Sequence, residues 1–134
     1  MASPRFSPVP DELNNLSRLV LECAIKVHRV LGPGLLESSY RACLAHELHA
    51  RGVSVQCEIP LPVRYEGVQL DCGYRLDMLV SDEIIVELKT VDSLLAIHQS
   101  QLLTYLRHSG KRLGLVINFN EVLLKNGVRR VING

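Results

Sequence analysis

Asp77, Glu87 and Lys89 have the side-chain types needed to hold a cation and to steer a nucleophile, and they sit on two neighbouring segments joined by Ser81-Asp82-Glu83. If that joint is a three-residue hairpin loop, Val80 pairs with Ile84 and, counting outward, Asp77 lies opposite Glu87. Directly opposed residues of an antiparallel pair hold their Cβ atoms about 4.5–5.5 Å apart, where like charges are destabilising unless something compensates. A hard divalent ion compensates, since Mg²⁺ is held by one or two carboxylates together with water and substrate phosphate. Strand alternation puts Lys89 on the face of Glu87 and turns Val86 and Leu88 the other way. The same residues also admit a plainer reading, a solvated outer patch shared with Arg75 that carries little energetic weight. Against it, Ile84, Ile85, Val86 and Leu88 make the strand apolar on both faces, as in a sheet interior where unpaired charge is costly.

Two further groups could join this chemistry. Glu37 stands in Gly34-Leu-Leu-Glu37-Ser-Ser-Tyr40, either as a third carboxylate or as the i,i+4 partner of Arg41. Farther along, Leu94, Leu95, Leu102 and Leu106 define an apolar helical stripe on or beside which His98, Gln101 and Tyr105 fall. Gln101 and Tyr105 are one turn apart and can reach a common ligand, or else serve as a satisfied core tyrosine and a backbone-bonded amide. Arg75, Arg64, Lys111 and Arg112 are available for phosphate contacts, or are ordinary surface charge.

The elements that must position these groups follow from periodicity and punctuation. Residues 1–10 read as a flexible tail before a single domain over residues 11–134. Asp11 is placed to cap a helix whose apolar positions from Leu13 to Leu31 keep the 3.6 period. Gly32-Pro33-Gly34 breaks it, and a second helix is expected from Leu35 to Ala50, closed by Gly52. Val53 to Tyr65, Val68 to Val80 and Ile84 to Thr90 read as an antiparallel meander turned at Glu66-Gly67 and at Ser81-Asp82-Glu83. Pro60 and Pro62, two apart, lack their N–H groups on the same side, which suits an outer edge. A third helix is expected over Ser93 to Ser109, stopped at Gly110. A buried strand from Arg112 to Asn118 would then run parallel to an earlier one, and a last hairpin or edge strand lies around Asn126-Gly127.

Composition bounds the rest. With 134 residues, 47% hydrophobic and 22% charged, the chain is globular in make-up. Fifteen Lys and Arg against 14 Asp and Glu leave a formal charge of +1, so any nucleic-acid contact must come from a local patch. The absence of Trp and the presence of only two Phe argue against single-strand recognition mainly by aromatic stacking. Cys23, Cys43, Cys57 and Cys72 have neither CxxC nor Cys/His spacing and read as reduced, mostly buried thiols. No secretory leader and no stretch of the ~18 apolar residues a bilayer requires is seen, so a cytoplasmic protein without membrane contact is expected.

Taken in order, Gly34-x-x-Glu37-x-x-Tyr40, Asp77, Glu87-x-Lys89 and Gln101-x-x-x-Tyr105 resemble the bacterial GxxExxY proteins, a branch of the PD-(D/E)xK nuclease-like superfamily. His28-Arg-Val-Leu-Gly-Pro-Gly before Glu37 and Gly114-Leu-Val-Ile-Asn-Phe-Asn near the end add to the resemblance, which covers about Asp11 to Arg130. It implies an α/β fold of α+β character: a central mixed sheet with an antiparallel meander, flanked by helices, as in restriction endonucleases. It implies Asp77, Glu87 and Glu37 as ligands of Mg²⁺ or Mn²⁺, with Lys89 in the catalytic group and Gln101, Tyr105, Tyr40 and Arg75 toward substrate. His28 is a further possible ligand by the same resemblance, or a core or capping residue. The implied partner is nucleic acid, DNA ahead of RNA. The oligomeric state is left open, with a homodimer allowed, and a non-catalytic binding or assembly module on the same fold is the rival reading. Leu76 stands before Asp77 where the superfamily often has proline.

Overall fold

The computed structural model describes residues 8–134, so the first seven positions of the expected tail lie outside the described residues. Helix α1, Asp11–Leu31, buries Leu13, Val20, Cys23, Ala24, Val27 and His28 at helical spacing. Asp11 was expected as its cap; instead Pro10 is the N-cap, its carbonyl accepting the amides of Leu13 and Asn14, and Asp11 and Glu12 lie in the first turn. There their charges complement the positive end of the helix dipole. Helix α2, Glu37–Ala50, begins two residues later than its apolar spacing suggests. Gly34 takes φ 98°, and the amide of Leu35 is bonded to the hydroxyl of Tyr40, so the chain between the helices is committed to a loop.

The expected long strands are interrupted. Strand β1 covers Val55–Pro60, and β2, Val63–Tyr65, pairs only with β3, Val68–Leu70, as a separate two-stranded ribbon. Glu66 and Gly67 both take positive φ at its tip, the twist a tight hairpin needs. The chain re-enters the main sheet as β4, Arg75–Val80, followed by β5, Ile84–Lys89, then helix α3, Ala96–Ser109, strand β6, Leu113–Asn118, a 3₁₀ turn at Leu124–Gly127 and strand β7, Val128–Ile132. The five-stranded order is β1-β4-β5-β6-β7, antiparallel except for the parallel pair β5–β6. As the prolines required, β1 is an edge, and Pro60 ends it. The strand–helix–strand crossover lays β6 beside β5, with Lys89 next to Asn118.

One face of this mixed sheet packs Met78, Val80, Ile84, Val86 and Leu88 against α1 and α2, and the other packs Leu79, Ile85 and Val116 against Leu102 and Leu106 of α3. The result is three layers, helices flanking a central sheet. Gly114 lets α3 approach closely, since a Cβ there would come within 2.9 Å of the Leu102 side chain. Of the four cysteines, all free, only Cys23 is buried while Cys57 and Cys72 are exposed, which corrects the expectation of mostly buried thiols. Both exposed positions lie at an edge or in a link, where no second layer covers them. No helix among the described residues is long and apolar enough to cross a membrane.

Candidate active site

The turn geometry follows the hairpin arithmetic up to the site and then departs from it. Val80 pairs with Ile84, Leu79 with Ile85 and Met78 with Val86, but the ladder stops before Asp77 and Glu87. On the other side, β1 pairs with β4 from Val55↔Val80 to Pro60↔Arg75 and omits one pair, Glu58 with Asp77. Asp77 is therefore the one residue of β4 with no ladder partner on either side, and Glu58 beside it takes φ 53°. Leu76 and Leu79, three apart, both face α3, so the alternation of the strand is also broken between them. Such local irregularity re-aims side chains.

Here it turns two carboxylates into substitutes for backbone carbonyls. Glu87 Oε2 accepts the amide of Asp77 at 2.8 Å, and Asp77 Oδ2 accepts the amide of Leu88 at 2.8 Å. Each carboxylate is thus anchored through one oxygen on the opposite strand. The other oxygens, Asp77 Oδ1 and Glu87 Oε1, accept no hydrogen bond among the described residues. Glu87 is only 5% exposed, which rules out the solvated-patch reading for it. Burial, then the Asp77 carboxylate, pushes the Glu87 carboxyl up to about 8, with the Asp77 amide and Lys89 pulling the other way. Lys89, half-buried on the same face, makes no ion pair at contact distance among the described residues, yet its charge is felt at both Glu87 and Glu37.

Glu37 approaches from the first turn of α2. Burial, and after it the charge of Asp77, raises its carboxyl above the usual range, against the pull of Lys89 and Arg41. Arg41 is ion-paired to Glu58 at 3.2 Å, so the helical pair with Glu37 is not the contact it makes. Tyr40, expected toward substrate, is fully buried: its hydroxyl donates to Gly32 O at 2.6 Å, accepts from Leu35 N at 3.0 Å, and its ring stacks on Phe119. With both bonding capacities used inside the fold, it cannot touch a ligand and instead fixes the loop that carries Glu37. His28 is likewise committed, with Nε2 2.6 Å from the Glu121 carbonyl, tying α1 to the segment after β6.

Asn118 and Asn120 stand in the quoted Gly114-to-Asn120 motif, but the sequence reading gave them no role. The fully buried Asn118 donates to Val91 O and accepts from the amides of Val91 and Asn120, pinning the chain just beyond Lys89. Asn120 accepts the amide of Gly34 and so holds the loop before Glu37. The available signal was a polar residue ending the apolar run Leu113–Ile117, a place where a buried amide must have work to do.

On the α3 side, Gln101 and Tyr105 line one cavity of about 430 Å³ together with Leu61, Tyr74, Ile97 and His108. Tyr105 packs at a tilt against Tyr74, and burial followed by the charge of Glu87 raises its hydroxyl. That electrostatic reach connects the cavity to the carboxylates. Arg75, at the start of β4, is exposed and directs a guanidinium nitrogen at the Glu58 carbonyl, 3.4 Å away. Lys111 and Arg112 precede Leu113, which sits beside Ile84, while Lys89 sits beside Asn118, so they stand at the opposite end of the β5–β6 pair from Lys89. Five residues of strand at ~3.3 Å each set them roughly 17 Å from Lys89.

Among the described residues no group of three or more His, Cys, Asp or Glu side chains is arranged to hold a metal ion, so Glu37 does not complete a three-ligand set. Two anchored carboxyl groups with one open oxygen each still make a hard oxygen donor pair, which is what a Mg²⁺-type ion takes when water fills its other positions. A carboxyl pushed up to about 8 by burial and then by the neighbouring Asp77 charge is one that a cation would return to its charged form.

A family model described as the PD-(D/E)XK nuclease superfamily matches residues 14–131, a span that contains every residue of this cluster. No curated protein and no solved structure matches the chain.

Proposed function

The chain belongs to the PD-(D/E)XK nuclease superfamily, and from that premise we propose that it hydrolyses phosphodiester bonds in nucleic acid with Mg²⁺ or Mn²⁺ held by Asp77 and Glu87. The observation that carries the reading is the reciprocal anchoring of these two carboxylates at the break in β4, each with one oxygen fixed and one open. When bound, a divalent cation supplies positive charge to the reacting phosphoryl group and lowers the pKa of water.

The remaining work belongs to side chains. Lys89 orients the attacking water and balances charge that develops on the phosphoryl oxygens in the transition state. Glu37 acts from α2 through water, its raised pKa making it able to hold the proton that the nucleophile gives up. Gln101 and Tyr105 hold the strand from the α3 side, with Arg75 at the rim. We take residues 11–134 to act as one domain, in the cytoplasm, with DNA as the first substrate to test.

Purified protein incubated with single- and double-stranded DNA and RNA, in Mn²⁺ and separately in Mg²⁺, alongside Asp77→Asn, is the test. Cleavage by the parent and none by the variant supports the reading. Absence of cleavage by the parent with every nucleic acid and with both ions overturns it, and leaves the binding or assembly module.

A further inference from the structure

Most arginines among the described residues spend their guanidinium groups on the protein. Arg41 and Arg51 are ion-paired, Arg18 and Arg130 are bonded to asparagine side chains, and Arg75 and Arg129 to carbonyls. Arg29, Arg64 and Arg107 have no such partner among the described residues; Arg29 lines a cavity beside α1, whereas Arg64 and Arg107 together line one of about 350 Å³ with His108, Ser109 and Gly110. Arg64 comes from β2 in the two-stranded ribbon, and Arg107 and His108 come from the last turn of α3. No carboxylate lines this cavity. Cations in a last helical turn offset the helix dipole, which accounts for Arg107 and His108 but not for Arg64, brought there by a different element. Two like charges facing one space repel, and an anion with several acceptor oxygens removes that repulsion.

The cavity does not stand apart from the candidate active site. His108 also lines the larger cavity that contains Gln101 and Tyr105. Gln101, Tyr105 and His108 recur at i, i+4 and i+7, so one stripe of α3, about 10 Å long at 1.5 Å per residue, leads from one to the other. Tyr105 lies within electrostatic reach of Glu87 and Asp77. A nucleic-acid strand whose reacting phosphate is at the carboxylates therefore has a path along α3 to a second, cationic stop.

We propose that Arg64, Arg107 and His108 form a subsite for a non-scissile phosphate of the nucleic-acid strand. The inference rests on the nuclease reading and adds to it a direction, with the strand running from the carboxylates past Tyr105 to the β2–β3 ribbon. In a chain of net charge +1 such phosphate affinity has to be local, and this is a cavity that two arginines line and no carboxylate does.

The test is binding of a fluorescein-labelled single-stranded DNA oligonucleotide, read by anisotropy in EDTA over a range of salt, for the parent, the double variant Arg64→Ala/Arg107→Ala and Lys26→Ala. Lys26 carries a charge on α1, across the sheet from α3, and controls for bulk electrostatics. Each lost phosphate contact on a single strand lowers the salt slope by ~0.7, so the double variant is expected to lose about 1.4 in slope and roughly 25-fold in affinity near 0.1 M salt. The double Lys variant Arg64→Lys/Arg107→Lys should keep the slope, which separates charge from folding damage. A double Ala variant with the slope of the parent, or Lys26→Ala with an equal loss, overturns the subsite while the parent still cuts and the function stands. A parent that neither binds nor cuts any nucleic acid overturns both.

Discussion

Glu87→Gln in the metal-free protein tests whether the buried carboxyl is neutral when no cation is present. The amide keeps an oxygen for the Asp77 N–H at Oε2 and offers an N–H where the protonated acid has its O–H. In the parent, the folded-state pKa is pushed up to about 8 from an ordinary value of 4.5. Between those two values the folded state binds more protons than the unfolded chain, so stability falls as pH rises. The contribution of Glu87 is thus fully present below about pH 4.5, is lost progressively up to about pH 8, and is constant above. At ~1.4 kcal/mol per pH unit that window is worth of order 3–5 kcal/mol. The variant lacks this loss, so it should match the parent near pH 5 and exceed it by a few kcal/mol at pH 9. Urea unfolding of both proteins from pH 5 to pH 9 reads the difference directly. Other groups, Glu37 included, titrate in both proteins and largely cancel. A parent-to-variant difference that stays flat within about 1 kcal/mol over that range would refute the assignment of a neutral, cation-seeking Glu87.

Lys89→Ala should leave Mn²⁺ affinity intact or slightly higher, because it removes a nearby positive charge, while abolishing cleavage; Asp77→Asn should lose the ion itself. Calorimetric Mn²⁺ titration beside a nuclease assay separates the two, and cleavage by Lys89→Ala at the parental rate would remove its role. Asn118→Ala deletes three hydrogen bonds from a fully buried side chain and leaves Val91 groups unpaired, an expected cost of about 2–4 kcal/mol by urea unfolding. Tyr40→Phe keeps the ring on Phe119 but strips both hydroxyl bonds, so a loss of about 1–3 kcal/mol and faster amide exchange at Leu35 are expected. Unchanged exchange at Leu35 would show that the hydroxyl does not hold the loop.

The layered fold was legible because its signals are repetitive. The 3.6 period from Leu13 to Leu31, the doubly apolar Ile84–Leu88 and the paired prolines each reduce to one face or one edge, and Val80↔Ile84 came from loop length alone. What escaped was local and many-bodied. The division of Val53–Tyr65 at Leu61-Pro62 depends on the chain leaving the main sheet for a separate ribbon, where Leu61 N bonds Tyr74 O. The burial of Tyr40 depends on Phe119, far along the chain, arriving beneath it. Asp77 and Glu87 were placed as cross-strand neighbours, but periodicity assumes a regular ladder and so carries no information about the place where the ladder fails.

That failure is where the site differs from a surface salt-bridge patch. In an unbroken sheet the amides of Asp77 and Leu88 would go to carbonyls of flanking strands, and two neighbouring carboxylates would have every reason to swing apart into water. Opening the ladder leaves two amides without partners, at a cost that a buried N–H always carries. Only an acceptor already in place removes that cost, and the two carboxylates are the acceptors present. The backbone therefore holds the acids together, each through one oxygen, although their charges oppose it and raise Glu87. A strand whose pairing breaks here keeps two acids adjacent at a cost in stability, with the second oxygen of each accepting no hydrogen bond among the described residues, a local rule broken as functional sites break them.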